Sequence, residues 1–480
     1  MSRNYPWLAA VLALGIGACS SKSQSPPQDT GVNDAPVDMG NDSPTGNDTA
    51  DDTPSDVPTN DDGGVPDGPT TTDGPGVECQ PLPTGTTPAG TAPMQDAGPT
   101  VTTTATRPEL AQDVADSQYT VQKVLAQGFN INNGAVPDGG VGPVTYSEND
   151  NWDPQKNGIG DPATFTPTFT VAMDGTGTHT NFSTVFTEAN AMGTCGRVYI
   201  RVMPGTYRGG VVVPSKASAP AITVYSTDPD ASKTVIINNA ATASAGSMTL
   251  SATMRVLAVR NFQMKNMTVA NDYAEDTVTG NQTAVAILVQ SDRAQFENVR
   301  FLGNIGTLYV KSTSETLAAR SYFRDCYVEG DQDFITGRGT AVFDHTEIKY
   351  LTARAVSGAS IAYPSTLAYN HYGYLFDSCK FTADTGASGV FLGRQWPESS
   401  DNATGLSVGK MIVRNSTLGA HIAAAPWSSM GARTMTPKDP AGTTPVVVYT
   451  SDDFYPAGVG PTPAEPFLGE YRNSGPGAHQ

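Results

Sequence analysis

The sequence predicts an all-β fold, a right-handed parallel β-helix over 165–470 with a capping helix at its N-terminal end. Three observations predict it. A six-residue phrase recurs as MKNMTV (264–269), FENVRF (296–301), FRDCYV (323–328), FDHTEI (343–348), FDSCKF (376–381) and VRNSTL (413–418). Each copy opens and closes on an apolar residue, and its polar centre, often Asn or Asp, marks a bend between β-rich flanks. The copies stand 20 to 37 residues apart. Such uneven spacing suits coils that emit loops of any length and argues against fixed-length helical repeats. Second, short β-rich runs (RVYIRVMP, VVVP, AITVYS, TVIINN, RVLAV, TAVAILV, GVFLG, MIVRN) are bounded by Gly, Pro, Asn or Asp. Third, long amphipathic helices are nearly absent. The clear candidate, NFSTVFTEANAM at 181–192, suits a cap over the end of a solenoid, where an open coil would expose unpaired backbone and apolar core. A pair of β-sandwiches would show more regular strand spacing and hairpin turns.

Ahead of the β-helix the chain changes character three times. Residues 1–18 read as a signal peptide, with Arg3 before the apolar run WLAAVLALGIGA, which is too short to span a bilayer. The run ends in IGAC, which resembles a bacterial lipobox and implies cleavage before Cys19 and acylation of that cysteine. An ordinary signal peptide with an incidental cysteine is the plainer alternative. Ser20, in place of an aspartate, resembles the sorting pattern for the outer membrane. Residues 19–100 are rich in Asp, Pro, Thr and Gly, and from 20 to 100 there are 14 acids, one lysine and no aromatic residue. Such a stretch buries too little apolar surface to offset chain entropy and reads as a disordered, self-repelling tether. Residues 101–164 form a lead-in, and 471–480 a tail.

The tether carries most of the formal charge of −19. The remainder is mildly acidic and offers no basic face for nucleic acid. Besides Cys19 there are Cys79, Cys195, Cys326 and Cys379, with no CxxC spacing, and the five histidines are scattered. No metal site or cofactor is expected, and disulfide connectivity cannot be read from spacing. A monomer is expected, attached to the membrane only through its lipid.

Chemistry concentrates in EGDQDFITGRGTAVFDH (329–345), where Asp331 and Asp333 flank a glutamine. Read as a strand, the two carboxylates share one face, an arrangement that is costly unless something uses it.

The segments FTVAMDGTGTHTNFSTVFTEAN (169–190), PGTYRGGVVVP (204–214), TAVAILVQSD (283–292), GNIGTLYV (303–310), YVEGDQDFITG (327–337) and LGRQW (392–396) resemble, in order and spacing, the pectinesterase family. The likeness is greatest to its bacterial outer-membrane lipoprotein branch, which has thioesterase-like members, and it covers about 165–470. The resemblance implies that Asp333, in G-x-x-D-F-I, is the nucleophile that attacks the methyl ester of a galacturonate unit. It implies that Arg394 orients and ionises that carboxylate, that Trp396 gives the sugar a stacking surface, and that Thr283 and Tyr309 also border the substrate. An ordinary ion pair for Arg394 and a core position for Trp396 are the structural alternatives. Pectin or an oligogalacturonide is the implied partner.

The chain departs from the family pattern at four positions. In G-x-Q-D-T-L-Y, Ile305 replaces the oxyanion glutamine and Gly306 the acid–base aspartate. Thr283 stands where a glutamine opens Q-A-V-A-L, with Gln282 one step away, and Gly209 replaces the glutamate of G-T-Y-x-E. Losing an oxyanion donor costs about 10²–10³ in turnover, and losing general acid–base help about 10²–10⁴. Asp331, as the protonated member of a carboxylate pair, is a candidate to replace part of the lost acid–base help on position alone, and a strand end facing water is the plainer alternative. Pectin demethylation, capture of oligouronides without turnover, and hydrolysis of a thioester or other ester with a better leaving group are the competing functions. A lyase would need a calcium-binding acid cluster that the sequence lacks.

Overall fold

The computed structural model describes residues 90–91, 107, 109–126, 145–146, 152–192, 196–214, 220–275, 282–312, 319–354, 359–367, 372–394, 396, 407–428 and 467–478. The chain divides into two compact units, Met1–Gly74 and Pro75–Gln480, and the described residues belong to the second. The expected signal peptide 1–18, Cys19, Cys79 and Cys195 lie outside them.

The repeated phrase is the unit from which the β-helix is built. Its first residues stack in parallel register: Met264 on Phe296, Phe296 on Phe323, Phe323 on Phe343, Phe343 on Phe376, Phe376 on Val413. Its last residues stack the same way, from Val269 through Phe301, Val328, Ile348 and Phe381 to Leu418. Between them the third residue of every copy (Asn266, Asn298, Asp325, His345, Ser378, Asn415) has a φ of 51° to 58°. That left-handed residue turns the strand through a bend, and short polar side chains tolerate it best. The first two phrases bend within one strand each, Gln263–Asn271 and Ala294–Leu302, and the later four are split into two strands, as in Arg320–Arg324 with Tyr327–Gly330 and Thr340–Asp344 with Glu347–Tyr350.

A second sheet closes the coil. Val211–Val213, Met254–Leu257, Ile287–Gln290, Leu308–Val310, Ile335–Gly337, Ser360–Pro364, Phe391–Arg394 and Trp427–Ser428 follow one another, all parallel. Parallel crossovers of this kind take the right-handed sense. Inside, Phe296, Phe323, Phe343 and Phe376 form a ladder of rings with centroids 4.9, 4.8 and 4.5 Å apart and planes within 10°. Cys326 and Cys379, at the fourth position of two phrases, are buried free thiols whose Sγ–H groups point at Phe296 O and Phe343 O.

The helix expected at 181–192 is present as Val185–Ala191, and its Val185, Phe186 and Ala189 join the main core. Two further helices, Gln112–Gln118 and Val121–Ala126, lie in the lead-in, where no helix was predicted. They are too short to declare themselves by periodicity. Tertiary contact holds them: Tyr322, Val342, Leu375 and Ile412, each one residue before a core residue and so facing outward, pack against Leu110, Ala115, Val121, Val124 and Leu125. Arg320 and Arg414 donate to the carbonyls of Leu125, Ala115 and Tyr119. Two boundaries also shift. Gly90–Thr91, inside the expected tether, pairs antiparallel with Thr145–Tyr146. The expected tail completes the last coil, because Ser474 and Gly477 bond to Ser416 and Leu418, and Arg107 bridges Glu470 and Gly477 O.

Candidate active site

The register of the second sheet brings the motif residues together. Tyr309 pairs with Thr336 and Thr336 with Tyr363, and Ala362 with Gly393 sets Arg394 beside Tyr363. Residues 309, 336, 363 and 394 thus form one column across four coils. Immediately before that sheet, Ile305 bridges Gln332, so Gly306 lies beside Asp333 on the neighbouring coil.

Asp331 and Asp333 do not sit on one strand face. The strand Tyr327–Gly330 ends before them, Asp333 has a φ of 45°, and Ile335–Gly337 begins two residues later. They occupy the bend between two sheets. Gly330 makes that bend possible, since a Cβ there would meet Phe334 Cβ at 2.2 Å and Asn304 O at 2.5 Å. The two carboxylates then part company. Asp333 receives Arg394 in a fork, Nε to Oδ1 at 3.2 Å and Nη2 to Oδ2 at 2.5 Å. Asp331 receives Arg354 in a second fork, 2.5 and 2.7 Å, and its side chain is 1% exposed. The expectation that Asp331 supplies the missing acid meets this geometry: both of its oxygens are engaged by Arg354 and its side chain is buried, so no face is open to substrate.

Asp333 is the more accessible of the two, with a side chain 10% exposed. Burial pushes its carboxyl above the ordinary aspartate range. The Arg394 charge and hydrogen bonds from Arg394 and Gln332 pull the other way without cancelling the rise. The result is a desolvated carboxylate of raised basicity, held in one orientation. Arg394 is itself fixed by stacking 4.6 Å above the Tyr363 ring. Tyr363 stacks in turn on Trp396, at 5.0 Å and 11°. Tyr363, Thr336 and Gln332 are site residues that the sequence analysis missed. The signal that could have found Tyr363 was its register with Arg394.

Tyr309 is 2% exposed and stands 6.5 Å from the Trp396 ring. It braces Trp396 and presents no open face to a sugar, which corrects its expected role as a substrate contact. Thr283 is placed beside Gly306, its carbonyl occupied by Thr242 N and Oγ1. Gly306 has a φ of 69°, and a Cβ there would meet Thr283 Cγ2 at 2.5 Å and Met248 Cε at 3.3 Å. The space for a side chain at 306 is filled by methyl groups. Gly306→Ala is therefore expected to lower stability by roughly 2–4 kcal/mol, from left-handed strain and overpacking. Urea denaturation should show the loss, and Thr283→Ser in the same chain should recover part of it. By the same geometry, Gly306→Asp alone does not rebuild an acid. Among the described residues no group of His, Cys, Asp and Glu could hold a metal ion.

The chain as a whole is similar to known proteins. The family model described as pectinesterase matches residues 168–434. A pectinesterase of Ralstonia solanacearum is 38% identical over 355 residues, covering 68% of this chain and 85% of that protein. Among solved structures, Escherichia coli ybhc superposes with a TM-score of 0.61 at 24% identity, over 80% of this chain and 98% of its own. The rice weevil pectin methyl esterase does so with a TM-score of 0.59 at 22% identity, over 79% and 100%. At those identities the two structures speak for the fold alone.

Proposed function

The chain belongs to the pectinesterase family, and on that premise we propose that it hydrolyses methyl esters of polygalacturonate with Asp333 as nucleophile. The observation that carries the reading is the Asp333–Arg394 fork, a largely buried ion pair on the stacked column Arg394–Tyr363–Trp396.

An Asp333 oxygen attacks the ester carbonyl, the carbon–methoxyl bond breaks, and an acyl-aspartate anhydride remains. Methanol leaves with a proton taken from water, since position 306 offers no acid. Water then adds to the galacturonyl carbonyl and the bond from that carbon to the Asp333 oxygen breaks, which frees the galacturonate carboxylate and ionised Asp333. Of the two protons released, one neutralises the hydroxide left when methanol formed and the other passes to solvent. Arg394 keeps the carboxylate charged and aimed for attack and stabilises its charge again as the anhydride opens, and Trp396, half-buried beside Tyr363, borders the sugar. Without the family's aspartate and glutamines, turnover should be slow. Ile305, Gly306 and Thr283 favour a second reading, capture of oligouronides without turnover.

Methanol release from highly methylated pectin, measured beside oligogalacturonide binding, separates the two. Release that depends on Asp333 supports the esterase, and binding without release supports capture.

The raised Asp333 value also sets a pH dependence. The nucleophile must be ionised, so activity is lost as pH falls through its folded value. The acid limb of kcat/KM is expected to have its midpoint above about 3.9, the ordinary aspartate value. A limb at or below that value would contradict the desolvated site.

A further inference from the structure

Beside the site lies a cluster that the mechanism leaves unused. Glu275, four residues past the strand Gln263–Asn271, has a side chain with no exposed surface. Its two oxygens take the Ile305 N–H at 3.4 and 3.2 Å, and the Asn304 side chain also bonds to it. Arg354, which gives its fork to Asp331, reaches the Glu275 carbonyl at 3.4 Å and stands 3.9 Å from the Glu275 carboxyl. Two carboxyls thus share one arginine in a buried place.

Each part of this cluster touches the backbone that carries the site. Ile305 precedes Gly306 and bridges Gln332, and Asp331 N donates to Asn304 O at 3.2 Å. Asp333 is two residues beyond Asp331. The charged and titratable groups facing Glu275 are Asp331 and Arg354. Tyr350 stands at one remove, within electrostatic reach of Asp331 and Arg354, and Asp333 within reach of Asp331.

We propose that Glu275 is a positioning residue that works as a neutral acid: protonated, it leaves Arg354 to Asp331 alone, and this holds the 331–333 bend and the Asp333 carboxylate in their reactive orientation. The proposal rests on the reading of Asp333 as nucleophile. Ionised, Glu275 would compete with Asp331 for the same guanidinium and add a like charge beside it. Burial and the Asp331 charge push the Glu275 carboxyl up to about 8, against smaller pulls from the Arg354 charge and from the hydrogen bonds of Ile305 N–H and the Asn304 side chain. The native state therefore holds a proton that the unfolded chain gives up. The resulting stability is full below the ordinary glutamate range and is lost as pH rises through about 8.

The test follows methanol release and the thermal unfolding midpoint from pH 6 to 9, in the full chain and in Glu275→Gln. Asp333→Ala serves as the blank for alkaline demethylation. The unaltered chain is expected to lose about tenfold in kcat between pH 7 and 9, with KM little changed and the midpoint falling over the same range. Glu275→Gln should lose less than about twofold across that range, with a flatter midpoint. Methanol release with the same alkaline fall in both chains overturns the proposal and leaves the Asp333 reading standing. A Glu275→Gln chain that fails to fold at pH 6 overturns it too, because the amide mimics the neutral acid. If neither chain releases methanol at any pH, the Asp333 reading fails, and with it the positioning role. The midpoints then decide only whether Glu275 carries the proton.

Discussion

Asp333→Ala is expected to lower methanol release by at least about 10⁴-fold, the scale seen when a covalent nucleophile is removed. Binding should survive, because Trp396 and its support from Tyr363 and Tyr309 do not depend on Asp333. Affinity for an oligogalacturonide should therefore change by no more than a few-fold. The substitution also strands Arg394, whose side chain is only 26% exposed, and breaking a buried pair by removing one partner costs about 3–5 kcal/mol. Asp333→Asn keeps the shape and removes only the charge, and it should be equally inactive with less loss of stability. Release by either variant within tenfold of the unaltered chain would sink the aspartyl-esterase mechanism.

Arg394→Ala is expected to act twice. It leaves a buried carboxylate without its chief counter-charge, so unfolding free energy at neutral pH should fall by about 3–5 kcal/mol. It also removes the influence that pulls the Asp333 carboxyl down, leaving burial to push it higher. A carboxyl raised in the folded state costs stability as pH climbs through its folded value, so the variant's deficit should be larger at pH 8 than at pH 5. The acid limb of activity should move up in pH for the same reason. Arg394→Lys keeps the charge but loses both the fork and the stack on Tyr363, and about a hundredfold loss in kcat is expected. Acid limbs that coincide in the alanine variant and the unaltered chain would mean that Arg394 is not what keeps Asp333 ionised.

The repeated phrase was legible because its causes are local. A residue that tolerates a left-handed φ sits between apolar residues, and Asn266, Asn298, Asp325 and Asn415 announce it by residue type. The closing of Phe296, Phe323, Phe343 and Phe376 into one ladder follows once those bends are aligned. The same local logic misled at Asp331 and Asp333. Alternation was applied where Gly330 had already ended the strand, and a shared face was inferred that a bend removes. The lead-in helices went unseen because what stabilises them is Tyr322, Val342, Leu375 and Ile412, some 200 residues or more away in the chain.

The sequence by itself determined the coil, its bends, its core and the candidate pair Asp333 and Arg394, along with the absence of side-chain chemistry at Gly306. Only the tertiary structure decided which arginine each aspartate would meet, that methyl groups fill the space beside Gly306, and that Glu275 lies behind Ile305 against Arg354. The physical reason is distance along the chain. Bends and alternation arise within a few residues, whereas the partners of Asp331 and Asp333 lie 23 and 61 residues away and meet them only when coils stack in register. A carboxyl's burial, and so its charge, is a property of that stack and not of the residue.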